Sequence, residues 1–169
     1  FIGSDHPFSS LQPSCKAYLQ SILADDLDAV EFTGKVSLHE IPQYLEQTDI
    51  CVFPSLWENF PNVCLEAMAA GRGVVGSSAG GMAEMLDNGR VGMLVPPDNS
   101  DAIANAIMAL LSSPEQRMEF GRKARARIIS EYSLEGLGQH LERSYQRAIR
   151  RRQQIGPRYS STQKVYVRT

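Results

Sequence analysis

Several things are scarce in this chain of 169 residues. Three cysteines (Cys15, Cys51 and Cys64) form no C-x-x-C pair and no zinc-type spacing, which argues against a disulfide scaffold or a structural zinc site. His6, His39 and His140 are scattered and make no metal constellation, so no metal is expected. No apolar run reaches the length that spans a bilayer, and no signal-peptide pattern opens the sequence. An odd number of cysteines without a secretory signal points to a reducing, cytoplasmic compartment. Cys51, in an apolar run, and Cys64, on an apolar helical face, read as small buried hydrophobes.

Basic side chains are the least evenly supplied. Residues 1–115 carry four (Lys16, Lys35, Arg72 and Arg90) against fifteen acidic ones, a balance of −11. Residues 116–169 carry thirteen against four, a balance of +9. A nucleic-acid binder spreads cations over its folded surface. Here they gather on late helices, so nucleic acid is not expected as a partner. Hydrophobic residues make up 43% and charged residues 21%, enough apolar matter for one sizeable core. Phe1-Ile2-Gly3 reads as the end of a strand, so the natural chain is expected to begin earlier.

What is present is an alternation of short apolar strands and helices through the first two-thirds. Phe1-Ile2 closes a strand and a loop from Gly3 to Pro7 follows. Leu11–Leu23 can form a helix, and Val30–Phe32 is a short strand stopped by Gly34. Ser37 reads as an N-cap with Glu40 completing a capping box, and Pro42 falls in the first turns that follow. Ile50–Phe53 has the near-continuous apolar pattern of a strand buried on both faces. A loop from Pro54 to Pro61 leads to a helix from about Asn62 to Ala70, ended by Gly71. Val74-Val75 is a strand, Ala79-Gly80-Gly81 opens a short helix, Asp87-Asn88-Gly89 turns, and Met93–Val95 is a strand. Helices alone follow, at about 100–111, 114–130 and 133–152. The expected fold class is therefore α/β: a Rossmann-like parallel sheet with helices on both faces and a helical C-terminal extension. The expected domain runs over 1–152, with a tail over 153–169 holding a strand-like Val165–Val167.

In such sheets ligands sit beyond the carboxyl ends of the strands. The loops after Phe1-Ile2, Phe32, Phe53 and Val75 are expected there, and they are rich in glycine and polar residues. Glu58 stands in the loop past Phe53 and Glu66 about one turn into the next helix. Pro61 suits a helix start, where its missing N–H has no intrahelical acceptor. The N–H groups of Asn59, Phe60, Asn62 and Val63 are candidate phosphate donors at a helix N-terminus. Carboxylates beside a phosphate site should face something neutral, and an ionised carboxylate only accepts hydrogen bonds. The combination suggests a sugar nucleotide, with phosphates on N–H groups and hydroxyls on Glu58 and Glu66. By spacing alone the two glutamates read more readily as a solvated loop residue and an exposed helix residue.

The order of motifs is more specific. Val30–Val36, Thr48–Ser55, Trp57–Gly71 with its E-x7-E pair and EAMAAG, Val74-Val75, Gly80-Gly81-x-x-Glu84 and Gly92–Asp98 follow one another. This succession resembles the C-terminal domain of GT-B fold retaining glycosyltransferases of family 4, over about residues 1–150. Gly3–Pro7 looks like that family's glycine-containing turn. The resemblance implies one half of a GT-B fold with a nucleotide-diphosphate sugar as donor substrate and no other cofactor. It implies that Glu66 binds ribose hydroxyls, and that Glu58 contacts the transferred sugar in a catalytic or positioning role. Main-chain groups of Asn59, Phe60, Asn62 and Val63 would touch sugar and diphosphate, and Gly34 and Val36 the base. The acceptor domain and the basic pair that neutralises the diphosphate would lie upstream of Phe1. Gly73 departs from the family, standing where proline usually precedes the paired valines.

Among other residues, Glu84 is read as ordering the Gly80-Gly81 loop, with reaching the donor as the alternative; Asp5 and His6, on a site-facing loop, read as solvated, and Asp49 as a structural hydrogen-bonder. Trp57 packs its loop or faces the absent domain, and Lys35 and Arg72 are weak candidates for a phosphate charge. The arginines from Arg143 to Arg152 read as a solvated helix face, or as a surface for anionic lipid or the absent domain. The partners expected are a nucleotide sugar, the chain's own acceptor domain and a membrane-peripheral or lipid-linked acceptor. The alternatives are a noncatalytic nucleotide-binding or interaction module, and a GT-B epimerase or glycogen-synthase-like enzyme.

Overall fold

A computed structural model describes residues 1–7 and 14–155. The expected tail strand at Val165–Val167 and the first turn of the expected helix at Leu11 lie outside the described residues. The chain divides into two compact units, Phe1–Asp49 and Ile50–Thr169.

In the first unit, α1 (Cys15–Leu23) continues into a 3-10 turn, Ala24–Ala29. Asp5 prepares the start of α1: its carboxylate accepts from Ser14 Oγ at 2.6 Å and from the Lys16 N–H at 2.9 Å. The Lys16 amide first and the Ser14 hydroxyl second hold the Asp5 carboxyl below its usual range. The strand expected at Val30–Phe32 is reduced to an isolated parallel bridge between Ile2 and Gly34. Its hydrogen bonds run from the Phe1 amine to Glu31 O (2.7 Å), from Thr33 N–H to Phe1 O (3.0 Å) and from Gly3 N–H to Gly34 O (3.0 Å). The capping box also forms differently from its expected arrangement. Glu40 Oε2 accepts from the Ser37 N–H at 2.8 Å, but Glu40 itself is the N-cap of α2 (Ile41–Glu46). Pro42 lies in the first turn of that helix, which explains why the helix begins late.

The second unit carries a three-stranded parallel sheet in the order β1 (Ile50–Phe53), β2 (Gly73–Ser77) and β3 (Met93–Val95). All five residues of β2 are buried, whereas β1 is only half-buried along its length. Burial on both faces, expected of β1, belongs instead to β2, because β2 is the strand flanked by two others within this sheet. The crossover between β1 and β2 is α3 (Asn62–Ala69), whose Cys64, Ala67 and Met68 are buried. It ends as its sequence prescribes: Gly71 adopts φ +68, its N–H reaches Met68 O, and the Arg72 N–H reaches Ala67 O. This is the paired hydrogen-bond closure that a glycine past the C-cap permits.

The crossover from β2 to β3 is the short α4 (Met82–Met85), followed by a turn in which Asp87, Asn88 and Gly89 all have positive φ. One face of β2 packs on α4: a Cβ on Gly76 would meet Met82 and Leu86 side chains at 2.7–3.1 Å. The opposite face places Val75 in a core with Val95 and with Ala106 and Leu110 of α5 (Ser100–Ser112). Helices therefore cover both faces, as the alternation requires. The extension is helical too: α6 (Pro114–Arg127), a π-turn (Ile128–Tyr132) and α7 (Leu134–Ile155). Asn99 caps α5 through the Ala102 N–H and Ser113 caps α6 through the Gln116 N–H. Gly121 of α6 lies against the end of α3 so closely that a Cβ there would stand 2.0 Å from Gly71 O.

Candidate functional site

Parallel strands bring their carboxyl ends to one edge, so the loops after β1 and β2 emerge side by side in the second unit. They lock together through their backbones. The Gly81 N–H donates to Glu58 O at 2.9 Å. A Cβ on Gly80 would fall 1.9 Å from Glu58 O, and one on Gly81 would fall 1.8 Å from Asn59 O. Gly80 also needs φ +67. Two glycines in succession are thus a steric condition for seating the Glu58-Asn59 segment.

Glu58 is half-buried, and its Oε1 accepts from Ser55 Oγ at 3.3 Å. A carboxylate has about four acceptor positions, so this one keeps capacity for further hydroxyl donors. Glu66, also half-buried, stands one turn after Asn62 on the side of α3 away from Cys64, Ala67 and Met68. The N-cap of α3 is Pro61, which brings no side-chain acceptor to the first N–H groups. Its carbonyl takes the N–H groups of Cys64 (3.1 Å) and Leu65 (3.4 Å). Asn59, Phe60, Asn62 and Val63 are exposed around this helix start. An uncapped, exposed N-terminus beside two carboxylates can receive an anion and neighbouring hydroxyls together.

Phe60 is held by a residue that the sequence did not single out. Its ring meets Tyr132 of the π-turn edge-on, with centroids 5.4 Å apart and an angle of 67°. The Tyr132 hydroxyl in turn takes a hydrogen bond from Arg127 Nη2 at 3.2 Å. Arg127 and Tyr132 lie well past the last motif, which ends at Asp98, so only the folded contacts reveal them.

Gly34 and Val36 belong to the first unit, where the geometry is separate. Gly34, at φ +70, lines a cavity of about 380 Å³ with Phe1, Gly3, Asp5, Lys16 and Phe32 among its walls. Val36, half-buried, is not part of that lining. Phe1 and Phe32 stack at 5.1 Å, and Lys16 Nζ lies 5.6 Å from the Phe32 ring centroid. The pairing of the Gly3 and Gly34 loops is as their positions after two strand-like segments lead one to expect.

Of the remaining candidates, Arg72 is turned away from phosphate work. Its Nε donates to Ala70 O at 3.0 Å, and it precedes β2 at the amino edge of the sheet. Trp57 is 68% exposed, so packing of its loop does not account for it. Cys64 is fully buried and burial pushes its thiol up to about 12; burial likewise raises Cys51 to about 11. Among the described residues no group of three or more His, Cys, Asp or Glu side chains is placed to hold a metal ion, and no helix is long and apolar enough to cross a membrane.

Comparison with known proteins supplies the wider context. A family profile described as glycosyl transferases group 1 matches residues 4–113. A glycogen synthase of Mycobacterium tuberculosis (strain ATCC 25618 / H37Rv) is 31% identical over 159 residues, covering 90% of this chain and 38% of the relative. The chain thus spans well under half the length of that relative. Among solved structures, sucrose-phosphate synthase from Thermosynechococcus elongatus superimposes with a TM-score of 0.72 at 27% identity, covering 88% of this chain and 37% of that one. The Anabaena protein HepE in complex with UDP also gives a TM-score of 0.72, at 26% identity, over 86% of this chain and 39% of that one. With a parallel α/β sheet, the ordered loop motifs and these likenesses in agreement, the chain belongs to the group 1 glycosyl transferases, and its fold is that of a GT-B Rossmann-like domain.

Proposed function

We propose that this chain is the donor-binding half of a retaining hexosyltransferase, taking a nucleotide-diphosphate sugar. The observation that carries this reading is the backbone lock between Glu58-Asn59 and Gly80-Gly81, which seats a carboxylate beside the uncapped start of α3. In this reading the N–H groups of Asn59, Phe60, Asn62 and Val63 receive the diphosphate. Glu66 accepts from the ribose hydroxyls, Glu58 from the transferred sugar, and Gly34 and Val36 border the base. The binding of UDP by HepE, a structure of the same fold, supports a nucleotide ligand.

Catalysis follows from positioning. Fixed N–H dipoles stabilise the charge that grows on the departing diphosphate, and fixed carboxylates favour an oxocarbenium-like sugar. The acceptor domain, the cations that neutralise the diphosphate and a lipid-linked or sugar acceptor at a cytoplasmic membrane face belong to the longer protein in this reading. Similarity to a glycogen synthase favours a glucan as one acceptor to test.

Calorimetric titration with UDP, GDP and ADP tests the proposal. Weak binding of one of them is expected, and Glu66→Ala should weaken it about tenfold or more, the usual cost of removing a charged hydrogen-bond partner. Binding of none of the three would favour an interaction module. The chain alone is expected to bind without transferring sugar, and robust donor consumption by it would overturn the half-site reading.

A further inference from the structure

We infer that Arg127 is a positioning residue for the loop from Glu58 to Val63, acting through Tyr132 and α4; its bearing on ligand affinity rests on the donor-site reading above. Arg127 closes α6, and its side chain is only 16% exposed. Its Nη2 donates to the Glu84 carbonyl of α4 and to Tyr132 Oη, each at 3.2 Å. Nη1 donates to Glu131 Oε1 at 3.0 Å and lies 3.9 Å from Asp87 Oδ1. The guanidinium carbon sits 5.5 Å from the Tyr132 ring centroid, so the same group also faces the ring that supports Phe60.

Arg127 therefore reaches both sides of the lock through intermediaries. Through Tyr132 it backs Phe60, next to Asn59. Through Glu84 it holds α4, whose preceding Gly81 donates to Glu58 O. A planar fork serves these acceptors from a single rigid group, which a lysine ammonium cannot reproduce. The Nε is buried with no hydrogen-bond partner among the described residues, so this side chain is held by its terminal nitrogens despite an unsatisfied donor. The two carboxylates facing it, Asp87 and Glu131, supply the countercharge.

The test separates local positioning from general stability. Amide hydrogen exchange is measured on the full chain for wild type, Arg127→Met, Arg127→Lys, Tyr132→Leu and Tyr132→Phe, alongside UDP titration of each. Loss of hydrogen bonds to a charged group should speed exchange of the Gly81 N–H about tenfold in Arg127→Met, while the Val74 and Val75 amides of β2 stay near wild type. Tyr132→Leu should match it, Arg127→Lys should fall between, and Tyr132→Phe should remain near wild type because the ring survives. UDP affinity should follow the same order. Unchanged Gly81 exchange in Arg127→Met would overturn the inference, and so would uniform acceleration of Gly81 and β2 amides together. Should Arg127→Met fail to fold, unchanged exchange in Arg127→Lys and Tyr132→Leu would overturn it in its place. If the wild type does not bind UDP, the donor reading fails, while the exchange data still judge the positioning role.

Discussion

No described residue between Phe1 and Asp49 is fully buried, whereas five consecutive residues of β2 are. The first unit is held by hydrogen bonds near water: the Asp5 carboxylate at the start of α1, the Glu40 carboxylate on the Ser37 N–H, and the short pairing around Ile2 and Gly34. The second is held by apolar packing, with Met68, Met82, Met85, Leu86 and Leu110 all out of contact with solvent. Exposed hydrogen bonds contribute modestly because water competes for the same groups. Buried side chains contribute about 1.5–3 kcal/mol each. Both units hold glycine loops that the sequence pattern marks as functional, but only the second anchors its loops on a closed core.

The largest expected difference lies in truncation of apolar side chains. Leu110→Ala, in the core shared by β2, β3 and α5, should lower unfolding stability by about 2–5 kcal/mol in urea titrations. Phe32→Ala in the first unit, whose side chain is only half-buried, should cost less than Leu110→Ala. Equal losses would break the contrast.

A second comparison uses glycine. In an open helix interior, Gly→Ala gains about 0.5–1 kcal/mol. Gly121→Ala should instead destabilise by about 2 kcal/mol or more, because overpacking costs exceed that gain when the new Cβ meets Gly71 O at 2.0 Å. Gly34→Ala has nothing within 4 Å but needs φ +70, so its cost should stay near the 1–2 kcal/mol of left-handed backbone. Thermal unfolding of the pair would sharpen the distinction between steric and conformational demand. A stabilised Gly121→Ala would refute the close approach of α6 to α3.

The smallest effect concerns pH and Cys64. Its folded thiol is raised by burial to about 12 from an ordinary value of 9.0. The unfolded chain therefore loses this proton first as pH rises. The stability it contributes is complete below about 9 and is lost as pH climbs toward 12. Cys64→Ala should flatten the stability profile over that alkaline window relative to wild type, measured by urea unfolding at several pH values. An identical slope in both proteins would mean that the thiol is not sheltered.

Much of the second unit was legible in the chain itself. Gly71 announced the end of α3, the helices near 100–111 and 114–130 were expected, and Asp87-Asn88-Gly89 read as a turn, because these local preferences act within a few residues. The side-chain caps from Asn99 and Ser113 and the positive φ in the turn came from the structure. The first unit was less legible: Val30–Phe32 has a strand pattern, but pairing depends on a distant partner, and only the bridge between Ile2 and Gly34 forms. The burial of β2 rather than β1 had the same cause. Glu58 and Glu66 were readable through motif order, yet their seating was not. The steric need for Gly80-Gly81 and the support of Phe60 by Tyr132 and Arg127 involve residues tens of positions apart.

By itself, then, the sequence determined the alternation of elements, their ends and the kind of residues at the sheet's carboxyl edge, since periodicity and capping are local physics. Only the tertiary structure decided which strand became the core, which carbonyls pressed against which glycines, and that an arginine late in the chain braces an early loop. Those depend on contacts formed across long chain separations, where the identity of a neighbour is set by the fold and not by the residues beside it.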